Sequence, residues 1–102
     1  MWRTLTISAA AARDLKAARK WLRQPGAGET AVKRLSSIRS AIKELRQYPC
    51  RWPEGEHQGV RERPVEGYMI MYEIHLDTGD NRTAGDVQIL RVFGPHQLRE
   101  RL

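Results

Sequence analysis

The sequence predicts an α+β fold in which a four-stranded sheet carries a helical hairpin on one face. Residues 68–76 alternate and are rich in aromatic and β-branched side chains, which is typical of a β-strand. Residues 86–93 are apolar on both faces, which indicates a strand inside a sheet rather than at its edge. Residues 9–23 and 29–48 repeat apolar side chains at helical spacing, and such helices need an apolar sheet to cover.

The first strand and the first helix are predicted from residues 2–23. The side chains of residues 2–7 alternate in character as those of a short strand do. We expect this strand to pair along the sheet formed by the other three strands. Ser8 is the expected N-cap, and the helix should end near Arg23 because residues 24–28 contain proline and glycine. The stripe predicted to face the core is Ala11, Leu15, Ala18 and Leu22, with Trp21 beside it.

The second helix is predicted to start near Glu29 and to end near Tyr48. Pro49 ends it, because a residue that precedes proline avoids the helical conformation. The stripe predicted to face the core is Val32, Leu35, Ile38, Ile42 and Leu45.

Residues 59–93 predict a three-stranded antiparallel meander. Its first strand, 59–65, contains Pro64, which has no N–H to donate and therefore favours an edge position. After a turn at Glu66-Gly67, residues 68–76 form the second strand and 86–93 the third. The predicted face-sharing sets are Tyr68, Ile70, Tyr72, Ile74 and Leu76 on the second strand, and Val87, Ile89, Arg91 and Phe93 on the third.

Composition limits the class of protein. The 102 residues suffice for one domain, predicted over 1–102, and the net charge of +6 favours an acidic partner, either nucleic acid or an acidic protein segment. A solvated basic surface without a partner is the alternative. The single cysteine excludes an internal disulfide, no cluster resembles a metal site, and no segment suits a membrane span or a signal peptide, so we expect a cytoplasmic protein.

Four ordered stretches carry a resemblance to a known family. The chain resembles the RelE/ParE superfamily of toxins from bacterial type II toxin–antitoxin systems. The residues that carry the resemblance are Ala41-Ile42-Lys43-Glu44-Leu45 with Tyr48-Pro49, His57-Gln58-Gly59-Val60-Arg61-Glu62, Gly67-Tyr68-Met69-Ile70-Met71-Tyr72-Glu73-Ile74, and Val87-Gln88-Ile89-Leu90-Arg91-Val92-Phe93.

The resemblance implies a cognate antitoxin whose disordered C-terminal segment wraps the toxin, and it implies no cofactor. It leaves two activities open. ParE-like members poison DNA gyrase without catalytic residues of their own, whereas RelE-like members cut messenger RNA on the ribosome. A third possibility is a non-toxic module that binds its antitoxin only.

The ParE-like activity is favoured because pieces of a nuclease site are missing from the sequence. Arg61 and Arg91 match the superfamily's sheet arginines, but lysine is absent after Lys43 and tyrosine is absent after Tyr72. If the chain is a nuclease, His57 and His96 are the expected acid–base pair, with the two arginines binding the phosphate. The alternative is that both histidines are surface loop residues and that His75 is an exposed strand residue.

Binding residues are predicted for both partners. The residues expected to contact the target are Arg91, His96, Arg99 and Arg101. The residues expected to contact the antitoxin are Arg13, Lys16, Trp21, Arg39, Lys43, Trp52, Arg61 and Met69. Core packing is the alternative for Trp21, and ion pairing with Glu62, Glu73 or an antitoxin carboxylate is the alternative for the two sheet arginines.

Overall fold

The structure is a computed structural model that describes residues 3–26 and 28–95. A four-stranded sheet has the strand order β1-β4-β3-β2, with β1 parallel to β4 and the other neighbours antiparallel. The elements in chain order are β1 (Leu5–Ile7), α1 (Ala9–Leu22), α2 (Gly28–Gln47), a 3-10 helix (Pro49–Arg51), β2 (Arg61–Val65), β3 (Tyr68–His75) and β4 (Asp86–Phe93). The predicted α+β architecture is confirmed, with Pro64 on the edge strand β2 and β4 inside the sheet.

Local sequence explains where the elements begin and turn. The Ser8 hydroxyl accepts the Ala11 N–H at 3.0 Å, which satisfies a first-turn donor of α1 as predicted. The same hydroxyl donates to Leu90 O at 2.8 Å, so the start of α1 is fastened to β4. Glu66 and Gly67 both have positive φ, 50° and 81°, which suits the two-residue turn between β2 and β3.

The main core lies between the helices and one face of the sheet. Helix residues such as Ile38 and Leu45 pack there against Ile70 and Tyr72 of β3. The Tyr72 hydroxyl reaches the 3-10 helix and donates to Pro49 O. Among the residues that the structure describes, no helix is long and apolar enough to cross a membrane.

A β-bulge corrects the predicted face of β4. Met71 pairs with Arg91 but Tyr72 pairs with Ile89, so Leu90 is an extra residue in the ladder. The extra residue shifts the alternation by one, which places Val92 with Ile89 in the main core and Phe93 with Met71 and Val60 in a second cluster. The prediction that Val87, Ile89, Arg91 and Phe93 share one face was therefore wrong beyond Ile89.

Three large apolar side chains from the predicted stripes and strands are exposed. Trp21 is 65% exposed, Val32 61% and Leu76 75%. Leu76 lies one residue beyond the end of β3, where the sheet no longer continues. Trp21 lines a cavity beside α1, and Val32 lies on the exposed side of α2.

Candidate functional site

A groove of about 460 Å³ lies between the two helices and the end of the sheet at β1. Its apolar surface combines β1 with the facing sides of α1 and α2. The apolar lining residues are Leu5, Ile7, Leu15, Leu35 and Ile42. Four cationic side chains line it as well: Lys16 and Arg19 from α1, and Arg39 and Lys43 from α2. An apolar surface bordered by cations on both sides suits an amphipathic segment that carries acidic residues.

Helical periodicity builds the α2 wall of this groove. Leu35, Arg39 and Ile42 are three to four residues apart, so they lie on one side of the helix. Val32 precedes Leu35 by three residues and continues this side one turn further. The predicted stripe is buried from Leu35 onward, but Val32 at its start is exposed rather than packed in the core.

The edge of β1 borders the same groove. The Val87 N–H donates to Thr4 O and the Ser8 N–H donates to Ile89 O, both at 2.9 Å. Because backbone groups alternate along a strand, those of Leu5 and Ile7 point away from β4. No other described strand lies on that side of β1. A partner chain that enters the groove therefore meets an edge to which it can add a strand.

The groove unites three of the cations predicted to bind an antitoxin and adds a fourth. Lys16, Arg39 and Lys43 line it, whereas Arg13 is exposed one turn before Lys16 on α1 and is not a lining residue. Arg19, which lines the groove, is not among the residues that the sequence predicted to bind the antitoxin. Its spacing of three residues from Lys16 was the available signal.

Arg61 is held by four hydrogen bonds inside the protein. Its guanidinium donates to both carboxylate oxygens of Asp77, at 2.8 and 3.0 Å, and to the carbonyl oxygens of Trp52 and Cys50, at 2.6 and 3.3 Å. The Asp77 hydrogen bond is the main cause of the raised pKa of Arg61, and Arg61 lowers the pKa of Asp77. The expectation of an acidic partner holds, but that partner is Asp77 and not Glu62 or Glu73.

Arg91 is paired in the same way with Asp14 of α1. Two hydrogen bonds, Nε to Oδ2 at 2.7 Å and Nη2 to Oδ1 at 2.9 Å, join the side chains. The Asp14 carboxylate also accepts the Val92 N–H at 2.9 Å. The Arg91 guanidinium lies 4.4 Å from the centre of the Phe93 ring. Asp14 was not predicted, although it is the one carboxylate in a helix that is otherwise basic.

The two ion pairs bear directly on the predicted nuclease chemistry. A phosphorane intermediate needs cationic donors aimed at its oxygens. The charges of Arg61 and Arg91 are already compensated by Asp77 and Asp14, in pairs whose side chains are at most 26% exposed. Bidentate phosphate binding through the same Nε and Nη2 atoms of either arginine would require that the contact with Asp77 or Asp14 be given up.

The predicted histidine pair lies only partly within the described residues. His57 is half-buried in the loop before β2, and its carbonyl oxygen accepts the Val60 N–H at 3.1 Å. His96 lies outside the described residues, as do Arg99 and Arg101, so these assignments stay predictions. His75 is exposed at the end of β3, with Nε2 2.9 Å from a Glu73 carboxylate oxygen.

The remaining predicted anchors have different surroundings. Trp52 packs against the main core and is stacked by Arg63, whose guanidinium lies 4.5 Å from the indole centre and contacts Glu44 at 3.0 Å. Met69 is half-buried beside the second cluster. Trp21 instead lines a cavity of about 570 Å³ on the other side of α1, together with Asp14, Ala17, Ala18, Tyr68, Gly94 and Pro95. Core packing was thus the wrong alternative for Trp21, and its role as an anchor stays a prediction.

Comparison with known proteins now places the chain. Residues 5–97 match the family model described as the ParE toxin of the type II toxin–antitoxin system, parDE. The chain belongs to the ParE toxin family. This ParE-family protein is also similar to a solved structure titled "Chromosomal ParDE TA system from P. aeruginosa", with a TM-score of 0.68 and 23% identity, covering 93% of this chain and 98% of that one. No curated protein matches the chain significantly.

Family membership agrees with the resemblance noted in the sequence. A ParE toxin is one half of a two-protein system, so membership implies an antitoxin partner. The solved relative supports the fold.

Proposed function

We propose that this ParE-family protein is a toxin that poisons DNA gyrase and is neutralised by a cognate antitoxin. The observation that carries the proposal is the match to the ParE family over residues 5–97. The internal pairing of Arg61 and Arg91 supports it, because a gyrase poison needs no phosphate-binding arginines of its own. The site of action is then the cytoplasm, where gyrase and chromosomal DNA are found.

The antitoxin binds in the groove bordered by Lys16, Arg19, Arg39 and Lys43. Its bound segment carries an apolar ridge against Leu35 and Ile42 and acidic residues toward the four cations. The α2 wall from Val32 to Lys43 extends for about 16 Å, since a helix rises about 1.5 Å per residue. That length accommodates about three turns of an antitoxin helix. The chain that follows adds a strand at the edge of β1.

The target is contacted by the region that follows Phe93. Arg91 contributes to this surface through the quarter of its side chain that is exposed, while its guanidinium stays on Asp14. His96, Arg99 and Arg101 supply the remaining contacts in the proposal. The net charge of +6 favours approach to a target loaded with DNA.

The decisive experiment compares two targets with one protein preparation. The purified protein is titrated into supercoiling by DNA gyrase and, separately, into translation of a defined message on purified ribosomes. We expect supercoiling to fail while the message stays intact. Cleaved message with normal supercoiling would replace the proposal by a RelE-like nuclease, and an effect on neither would leave a module that only binds the antitoxin.

A further inference from the structure

The helical hairpin carries the whole excess of positive charge. Residues 9–47 contain ten Lys and Arg but three Asp and Glu, whereas residues 3–8 and 48–95 contain six and eight. Two of the three hairpin carboxylates are engaged internally, Asp14 with Arg91 and Glu44 with Arg63. A basic helical layer therefore backs onto a sheet and loops with a slight acidic excess. Such asymmetry within a small chain is typical of proteins that bind a polyanion.

The positive charge extends well beyond the groove. Nine of the ten basic hairpin side chains are exposed, and Lys20, Arg23 and Lys33 are among those that do not line the groove. On α1, Arg13 and Lys20 are seven residues apart and so lie along one line of the helix. On α2, Lys33 lies two residues from both Ala31 and Leu35, which are buried, so it points away from the core. We call the surface that carries Arg13, Lys20, Arg23 and Lys33 the outer surface. An acidic segment confined to the groove leaves it uncovered.

We propose that this outer surface binds duplex DNA through its phosphates. Double-stranded DNA has about one negative charge per 1.7 Å of its axis, a dense and regular partner for two basic helices side by side. The choice of DNA over RNA rests on the proposed gyrase target, but binding itself requires no gyrase. Because Lys16, Arg19, Arg39 and Lys43 belong to the same basic layer, an antitoxin in the groove removes part of the DNA surface.

Two other polyanionic partners fit the hairpin less well. Interfacial helices insert an apolar stripe into lipid, but here most of the apolar stripe residues of α1 and α2, such as Leu22, Ile38 and Leu45, are buried in the main core. Unpaired nucleic acid is bound by stacking on aromatic side chains. The exposed indole of Trp21 lines the cavity with Tyr68 and Pro95, whereas Lys16 and Arg19 line the groove on the other side of α1.

The test is binding of the isolated full chain to a labelled duplex of about 20 base pairs, measured by fluorescence anisotropy between about 50 and 200 mM salt. We expect the logarithm of the binding constant to fall linearly with the logarithm of the salt concentration. The double variant Lys20→Gln with Lys33→Gln should reduce that slope by about 1.8, or about 0.9 for each phosphate that is no longer neutralised. The control, Arg51→Gln with Arg82→Gln, removes the same charge outside the helical hairpin and should keep the slope.

Several results would overturn the proposal. These are failure of the wild-type chain to bind, equal effects of the two double variants, or tighter binding to an RNA duplex of equal length. The charge-reversed pair K20E with K33E serves as a second variant and should bind more weakly than the glutamine pair. Circular dichroism verifies that each variant is folded. Because gyrase is absent from the assay, its outcome is independent of whether gyrase is the target.

Discussion

Asp14 bonds simultaneously to the side chain of Arg91 and to the backbone beside it. Its two oxygens accept from the guanidinium at 2.7 and 2.9 Å, and one of them also accepts the Val92 N–H at 2.9 Å. Strand β1 ends at Ile7, opposite Ile89, and the carboxylate binds β4 beyond that point. One helix residue thereby connects α1 to the strand that carries the superfamily's second sheet arginine.

Removal of this carboxylate should destabilise the fold. Asp14→Ala leaves Arg91 without its partner in a pair that is little exposed, and we expect a loss of about 2 to 4 kcal/mol in the free energy of unfolding. Urea denaturation of the single variants and of Asp14→Ala with Arg91→Ala completes a double-mutant cycle. Additive losses in that cycle would show that the two side chains are not coupled.

Acid should weaken the fold through Asp77. Arg61 lowers the pKa of this carboxyl below its ordinary value of 3.8. The folded state therefore binds the proton less tightly than the unfolded state does. The resulting stabilisation is complete above the ordinary pKa and disappears as the pH falls through the lowered one.

This acid dependence is measured as the urea midpoint from pH 7 down to pH 3. Asp77→Asn should flatten the curve in the acid range, while the exposed Glu56→Gln serves as a control that keeps the wild-type slope. The same slope in Asp77→Asn and in the wild type would mean that the Arg61 pair does not contribute to acid stability.

The hydroxyl of Tyr72 should matter for stability because it is buried and donates to Pro49 O. Tyr72→Phe leaves that carbonyl oxygen without this donor, and we expect a loss of about 1 to 2 kcal/mol near neutral pH. Burial also raises the pKa of Tyr72 above its ordinary 10, so ionisation opposes folding as the pH rises past 10. Denaturation at pH 7 and above pH 10 tests both points, and an unchanged alkaline dependence in Tyr72→Phe would refute the second.

The groove cations should be required for antitoxin binding. Lys16→Glu with Arg39→Glu places negative charge on both sides of the groove, where we propose acidic antitoxin residues. We expect affinity for the cognate antitoxin to fall at least tenfold, mostly at low salt, because exposed charges are screened. Arg82→Glu is the control, since Arg82 lies on the loop before β4. Calorimetric titration that shows equal losses for both variants would remove the groove from the antitoxin site.

Substitution of Val32 tests whether this side chain belongs to the binding surface or to the core. Val32→Ala should change the free energy of unfolding by no more than about 0.5 kcal/mol because the side chain is exposed, yet it should weaken antitoxin binding. Ile38→Ala, six residues later on the buried side, should cost about 2 to 5 kcal/mol. Similar losses of stability in both variants would place Val32 in the core after all.

Much of the fold was predictable because its signals are local. The alternation along β3, the Ser8 cap and the edge preference of Pro64 each depend on a few neighbouring residues, and each of these predictions is confirmed. The errors arise where distant segments meet. The extra residue Leu90 in β4 reverses the predicted faces after Ile89, and the neighbouring residues show no sequence pattern that indicates a bulge.

The candidate site shows the same division. Helix periodicity placed Lys16, Arg39 and Lys43 on basic helix faces. Only the fold brings these faces together with β1 around one groove. The partners of Arg61 and Arg91 lie 16 and 77 residues away in the chain, so sequence reasoning recognised the arginines without finding Asp77 or Asp14.

Gyrase poisoning is tested most directly by detecting broken DNA on gyrase itself. Plasmid DNA, gyrase, ATP and the purified protein are incubated, the reaction is stopped with detergent and protease, and linear plasmid is quantified. Gyrase poisoning predicts that linear DNA rises with added protein and returns to the control level when the cognate antitoxin is added in excess. Suppose that expression of the protein arrests cell growth. Linear DNA that stays at the control level at every concentration of the purified protein would then contradict gyrase as the target.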